Sequence, residues 1–152
     1  GAGSGGGGGA GGGKKAENGV SLFVSSLGSF ASLTPLVWLA CSNLCTLLVG
    51  MPSLAQAQLQ SDLLQLKCAE VATAALNTNL YDPTIAQVVC KLVFCLVSCG
   101  AKGKRQKIEL AKCRAADSLY KVMSVHGGSE EVMHWATAAR EAVTKHTSNE
   151  ED

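Results

Sequence analysis

Val125-His126-Gly127-Gly128-Ser129-Glu130-Glu131 separates two helical patterns, and the fold follows from what lies on either side of it. Before this turn, Ile108, Leu110, Cys113, Ala116, Leu119, Tyr120 and Met123 recur mostly every third or fourth residue, which gathers them on one helix face. Gly127 and Gly128 stop that helix. Ser129 then predicts an N-cap, because its hydroxyl can accept a hydrogen bond from a first-turn N–H, and Glu130 and Glu131 suit the positive end of the helix dipole. Beyond the cap, Val132, Trp135, Ala136, Ala139 and Val143 form a second stripe. A helix with one apolar face needs a neighbour, and this segment supplies two that can pack antiparallel.

Working outward, composition sets the bounds. The chain has 152 residues and a net charge of +1, so no global field selects for nucleic acid or for acidic membranes. Its start is nearly all glycine, broken by Ala2, Ser4 and Ala10, and residues 1–19 are expected to form a flexible tail. Residues 147–152 are polar and acidic and are expected to fray. Residues 20–146 remain, roughly 125 positions and enough for a stable core. The seven cysteines (41, 45, 68, 90, 95, 99 and 113) are odd in number and fall mainly at apolar positions of helical segments. They predict buried, reduced thiols in a cytoplasmic protein rather than disulfides. The absence of an initial methionine suggests a fragment or a processed product.

No charged residue occurs from Asn18 to Ser61. Residues 20–33 are rich in serine, with Leu22, Phe23, Val24, Leu27 and Phe30, and suit either a helix or a loosely ordered apolar segment. Thr34-Pro35 predicts a cap followed by proline in the first turn, where its missing N–H does no harm. Residues 36–49 then form a helix closed by Gly50 and Pro52. Residues 53–60 read as a short polar helix or loop. Residues 62–77 read as one helix, with Asp62, Gln65, Lys67 and Glu70 on its wet side. Asp82-Pro83 repeats the cap and proline, and residues 85–99 are apolar nearly all round except at Gln87 and Lys91, the pattern of a helix buried on several sides.

The uncharged run 35–51 also raises a membrane anchor. Spanning takes about 20 apolar residues, and this run is a little short, carries Ser42, Asn43 and Thr46, and lacks an adjacent basic flank. A buried helix is expected. A small membrane-anchored protein using 35–51, with 85–99 as a second span, is the alternative.

Thr34, Asp82 and Ser129 lie 48 and 47 residues apart, and Lys67-Cys68 precedes Lys112-Cys113 by 45. A period in the forties with a helix pair per unit predicts an all-α chain, an α-solenoid of armadillo or HEAT type. The run Lys104-Arg105-Gln106-Lys107-Ile108-Glu109-Leu110-Ala111-Lys112-Cys113, continuing through Leu119-Tyr120-Lys121-Val122-Met123 and Ser129-Glu130-Glu131-Val132 to Trp135-Ala136, resembles one armadillo repeat. It has a short basic first helix, a second helix, a small-residue turn and a third helix, in that order. Residues 62–100 are similar to a second repeat, and Trp38-Leu39-Ala40-Cys41-Ser42-Asn43-Leu44 resembles the third helix of an earlier one. The likeness covers residues 34–146.

That resemblance implies a non-catalytic scaffold. The concave face of its third helices (36–49, 85–99 and 132–145) would bind a protein or peptide ligand, or further repeats of a longer chain. The family's ladder of tryptophan and asparagine is incomplete here. Trp38 stands one residue too early before Ala40, although Asn43 is in place; Trp135 precedes Ala136, but Ala139 occupies the asparagine position; the middle repeat has Val89 and Val93. Binding of nuclear-localisation peptides in the importin-α manner is therefore not implied. The glycine that usually opens the second helix is replaced by Cys113 or Arg114.

The candidate contact residues follow from the third helices and from one basic run. Trp38 and Trp135 are the largest anchors, suited to burial between helices or to exposure in a groove, where tryptophan is a common hot spot. Asn43, Lys91 and His134 share those helices. Lys102, Lys104, Arg105 and Lys107 form a basic cluster, suited to a solvated surface or to an acidic peptide. No aromatic residue interleaves it, so nucleic acid is not expected. Cys41/Cys45 and Cys95/Cys99 have i, i+4 spacing that can offer thiolates to zinc, but no nearby His completes a set, and core packing is expected with no metal or cofactor. His134, four residues after Glu130, predicts a surface contact rather than acid–base chemistry, and His126 belongs to the turn. The glycine run lacks the Lys-Ser/Thr ending of a phosphate cradle. No enzyme is expected. Because solenoid ends need polar caps, the apolar stretch 20–49 is predicted to pack against more chain, a partner or a second copy.

Overall fold

A computed structural model describes residues 17–29 and 31–145. The tails expected at residues 1–16 and 147–152 lie outside them. A π-helical turn, Glu17–Ser21, is followed by α1 (Leu22–Ser29), α2 (Thr34–Gly50), α3 (Ser53–Gln65), α4 (Cys68–Thr78), α5 (Pro83–Ser98), α6 (Gly103–Lys112), α7 (Ala115–Val125) and α8 (Glu130–Thr144). Among the described residues every regular element is helical. Residues 17–19, the end of the tail expected over 1–19, belong to the π-helical turn, which packs on α1 and α3.

Helix α5 is the centre. It packs against α2 on one side and α8 on the other, with α4 and α6 also in contact. Ile85, Ala86, Val88, Val89, Cys90, Leu92, Val93, Cys95 and Leu96 are all buried, as its nearly continuous apolar sequence predicts. The pairing of α4 with α5 recurs as α1 with α2 and as α7 with α8. Single buried side chains from Val24 to Val143 join into one hydrophobic cluster.

The corners between helices carry the same conformations at a fixed separation. Lys67 and Arg114 both sit in the left-handed region, with φ of 61° and 60°, and each opens the following helix, α4 or α7. This corrects two expectations. The single helix expected over 62–77 is divided at Lys67, and the apolar stripe drawn from Ile108 to Met123 is divided at Arg114. The break resets the helical phase, so Ile108 and Tyr120 stand 56% and 59% exposed while Leu110, Leu119 and Val122 are buried. Of the two residues suggested for the missing glycine, Arg114 holds the strained position.

Asn79 and His126 close α4 and α7 with nearly identical backbone angles. Asn79 Nδ2 donates to the Ala31 carbonyl at 2.6 Å, and a ring nitrogen of His126 lies 2.8 Å from the Leu80 carbonyl, each reaching back to the preceding corner. The caps follow suit. The Asp82 carboxylate accepts from the N–H groups of Thr84 and Ile85 at 3.0 and 3.2 Å, and Ser129 Oγ accepts from Val132 N–H at 3.4 Å. Thr34 departs from its expected role: α2 already includes it, Leu33 is the N-cap residue, and no side chain caps the helix.

The segment expected to be a short polar helix or loop over 53–60 is the first half of α3, and two of its glutamines, Gln56 and Gln60, point inward. Gln60 Nε2 donates to the carbonyls of Leu96 and Cys99 at 2.9 and 2.7 Å, at the end of α5. Its Oε1 accepts from Gln106 Nε2 at 2.9 Å, and both side chains are 0% exposed. Gln56 does the same for α2, donating to the Leu48 carbonyl. Terminal carbonyls of a buried helix need such partners, each contributing about 1 kcal/mol net and costing more if lost.

The membrane alternative for 35–51 is set aside. Helix α2 spans 17 residues and buries Val37, Ala40, Cys41, Leu44, Cys45 and Leu48. Among the described residues no helix is long and apolar enough to cross a membrane. Leu22, Leu33, Leu36, Leu39 and Val49 remain exposed, so the apolar N-terminal face expected to need cover is open in this chain.

Two backbone positions respond to substitution in opposite directions. A Cβ at Gly103 would fall 1.9 Å from the Val97 carbonyl oxygen, so Gly103→Ala is expected to destabilise by about 1–3 kcal/mol or more. Glycine at the left-handed Arg114 relieves the Cβ penalty and loses only an exposed ion pair with Asp117, so Arg114→Gly is expected to stabilise by about 0.5–1 kcal/mol. Urea unfolding of both variants checks the pair; a loss of stability in Arg114→Gly would contradict the account of that corner.

Candidate functional site

The wet side of α5 is narrow. Thr84, Gln87, Lys91, Phe94 and Ser98 recur at three- and four-residue intervals as its less buried stripe, with Val97 half-buried beside it. Because α2 and α8 flank α5, their side chains complete a groove over this stripe. Trp38 and Ser42 from α2, Thr84, Gln87, Val88 and Lys91 from α5, and Trp135 from α8 line a cleft of about 200 Å³.

Trp38 is 46% exposed, the second of the two placements open to it from sequence, whereas Trp135 is half-buried. Three neighbours fix the Trp135 ring. Phe94 meets it edge-to-face with centroids 5.8 Å apart, the His134 ring does so at 4.9 Å, and the Lys91 ammonium lies 5.4 Å from its centroid. Such a cation–π contact is worth about 0.5–1 kcal/mol at an exposed site. His134 thus supports the tryptophan. Asn43 is half-buried on α2, and its neighbour Ser42 is the residue that lines the cleft.

Past Phe94 the groove opens into a second hollow of about 390 Å³. Phe94, Val97 and Ala138 form its apolar part, and Lys104, Lys107, Lys145 and Glu141 its charged rim. Lys107 Nζ donates to the Lys145 carbonyl at the end of α8, tying α6 to that helix. The basic cluster is therefore split: Lys104 and Lys107 face this hollow, while Lys102 and Arg105 do not line it. Lys145 and Phe94 were missed by sequence reasoning. Phe94 was visible as the next turn of the Gln87–Lys91 stripe; nothing in the sequence marked Lys145.

Beneath the groove the thiols are packed and differ in acidity. Burial pushes Cys68 and Cys90 up to about 12. A hydrogen bond from Cys45 lowers the Cys95 thiol, aided by the Lys91 ammonium and by Cys99, and the same hydrogen bond raises Cys45. All seven cysteines are free, and five are buried. Among the described residues no three His, Cys, Asp or Glu side chains are grouped to hold a metal.

A larger hollow of about 700 Å³ lies between α4, α7 and α8. It is open, Arg114 pairs there with Asp117 at 2.8 Å, and Arg140 lies over the Tyr120 ring at 5.6 Å. The tryptophan groove has the stronger claim because, among the hollows described, it alone joins two tryptophans to a lysine ammonium.

No known protein family, no curated protein and no solved structure matches this chain. The groove therefore stands on its own geometry.

The two tryptophans are expected to differ in what they hold up. Trp135→Ala should cost about 2–3 kcal/mol, since it removes a half-buried ring with three partners. Trp38→Ala should change stability by less than about 1 kcal/mol. Chemical unfolding of the two variants checks this, and equal losses would show that Trp38 is a packing residue.

Proposed function

We propose that this chain is a non-catalytic protein-interaction module, an α-solenoid of armadillo type, whose α2, α5 and α8 face binds a protein or peptide. The observation that carries the reading is the cleft with Trp38 and Trp135 as its walls and Lys91 between them. Exposed tryptophan on a rigid helical face suits a binding hot spot. A 200 Å³ cleft falls below the roughly 300–1,000 Å³ of small-molecule sites, which favours a ligand side chain over a cofactor.

Repetition supports the architecture. Lys67 and Arg114, Asn79 and His126, and Asp82 and Ser129 are three pairs of matching structural roles, each 47 residues apart. Units that stack on their neighbours through such pairs are the basis of a solenoid. Free thiols, most of them buried, suit a reducing, cytoplasmic setting.

Panning a randomised linear-peptide library on the chain tests the reading. Sequences are expected whose binding falls roughly tenfold or more in Trp38→Ala or Trp135→Ala. Enrichment only of peptides indifferent to both variants would place binding elsewhere and overturn it.

A further inference from the structure

The hollow between α4, α7 and α8 lies round α8 from the tryptophan cleft: Arg140 follows Trp135 by five residues, a turn of roughly 140° about the helix axis. Its walls carry three cations, Arg114, Lys121 and Arg140, against one acid, Asp117. Asp117 is already engaged by Arg114 at 2.8 Å. Arg140 lies over the Tyr120 ring, 5.6 Å from its centroid, which orients the guanidinium without neutralising it. Lys121 has no acidic partner among the described residues. Two positive charges are left over, and the Asn77 amide and the Ser118 and Tyr120 hydroxyls belong to the same walls.

The helical scaffold does not require this set. Lys67 and Arg114 open equivalent helices 47 residues apart, and Glu70 and Asp117 keep that interval. Counted back by the same interval, Tyr120, Lys121 and Arg140 correspond to Thr73, Ala74 and Val93. The charges at the corner recur in both units, whereas the ring and the two unpaired cations belong to the later one.

We infer that this hollow binds a phosphomonoester. Such a group carries a charge of about −1.5 to −2 at pH 7 and three acceptor oxygens. It therefore answers both left-over cations and the three hydrogen-bonding side chains, where a carboxylate would answer one cation. Arg140 offers a planar fork already held by a ring, and Lys121 a point charge. A volume of about 700 Å³ falls within the roughly 300–1,000 Å³ of small-molecule sites, so part of the body bearing the ester fits as well. No lining residue is shared with the tryptophan cleft, and the site stands or falls apart from the protein-binding reading.

Isothermal titration calorimetry of the whole chain tests the site with two probes. One is O-phospho-L-serine, and the other is an acetylated, amidated pentapeptide with glycines on both sides of a phosphoserine. O-sulfo-L-serine, whose ester carries a single charge, is the control. Both phosphates are expected to bind at one site, roughly tenfold more tightly than the sulfate ester, and to lose roughly tenfold in Lys121→Gln and in Arg140→Gln. Both side chains are exposed, and far-ultraviolet spectra and unfolding midpoints establish that the variants fold. Tighter binding of the peptide than of the free amino acid assigns the ester to a phosphorylated protein, and the reverse order assigns it to a small molecule. Three outcomes overturn the inference. Neither phosphate binds at millimolar concentration. The sulfate ester binds as tightly, which would show a general attraction for anions. Affinity is unchanged in both variants, which would place the phosphate elsewhere on the chain.

Discussion

Helix α5 must be covered on nearly every side, and the rest of the chain is arranged to cover it. A helix whose apolar residues go almost all the way round is unstable beside water. Here α2 and α8 flank it, α4 and α6 lie against it, and α3 supplies the glutamine, Gln60, that binds the carbonyls at its end. One strip is left wet. Thr84, Gln87, Lys91, Phe94 and Ser98 occupy that strip, so whatever α5 offers to a partner is confined to it. The groove is in this sense a residue of the packing problem: among the described residues it is a direction from which no helix arrives.

Polar side chains inside the stack set the register of the helices. Gln60 and Gln106 are fully buried, and Gln60 uses both ends of its amide, Nε2 on the Leu96 and Cys99 carbonyls and Oε1 on Gln106 Nε2, while Gln106 Oε1 finds no partner among the described residues. Apolar contacts alone tolerate sliding of one helix along another. A glutamine bound to the Leu96 and Cys99 carbonyls does not, because a shift of one residue would strand both carbonyls and the amide. Asn79 and His126 impose the same condition at the corners. The tryptophan cleft inherits its rigidity from these bonds, since its walls are fixed to α5 and its neighbours.

Much of this was legible from residue pattern, and the failures have physical causes. Caps at Asp82 and Ser129 announced themselves because a short polar side chain before an apolar run has few other uses. The breaks at Lys67 and Arg114 were hidden because a single left-handed residue leaves no mark in periodicity when it is not glycine. The inward role of Gln56 and Gln60 was hidden in a stretch read only as a short polar helix or loop, because composition cannot tell a solvated amide from one aimed at a buried helix end. For the groove, the residue types were legible and the assembly was not. Trp38, Lys91 and Trp135 come from three helices, and only stacking brings them to one cleft. The half of the basic cluster that lines the second hollow, Lys104 and Lys107, was inseparable by sequence from Lys102 and Arg105, because the choice depends on where the first turn of α6 meets α8.

The two tryptophans then carry different physical weight, and the difference favours recognition over mere packing. Trp135 is held by Phe94, His134 and Lys91, so its indole is oriented before any ligand arrives. A wall that is already fixed loses little entropy on binding. Trp38 is nearly half exposed and faces that wall across a cleft floored by Val88 and the Gln87–Lys91 stripe. Leaving so large a ring in water forgoes burial worth on the order of 2 kcal/mol, which a purely structural role would have recovered by turning it into the α2–α5 seam. The arrangement gains from that exposure only when something fills the space between the rings.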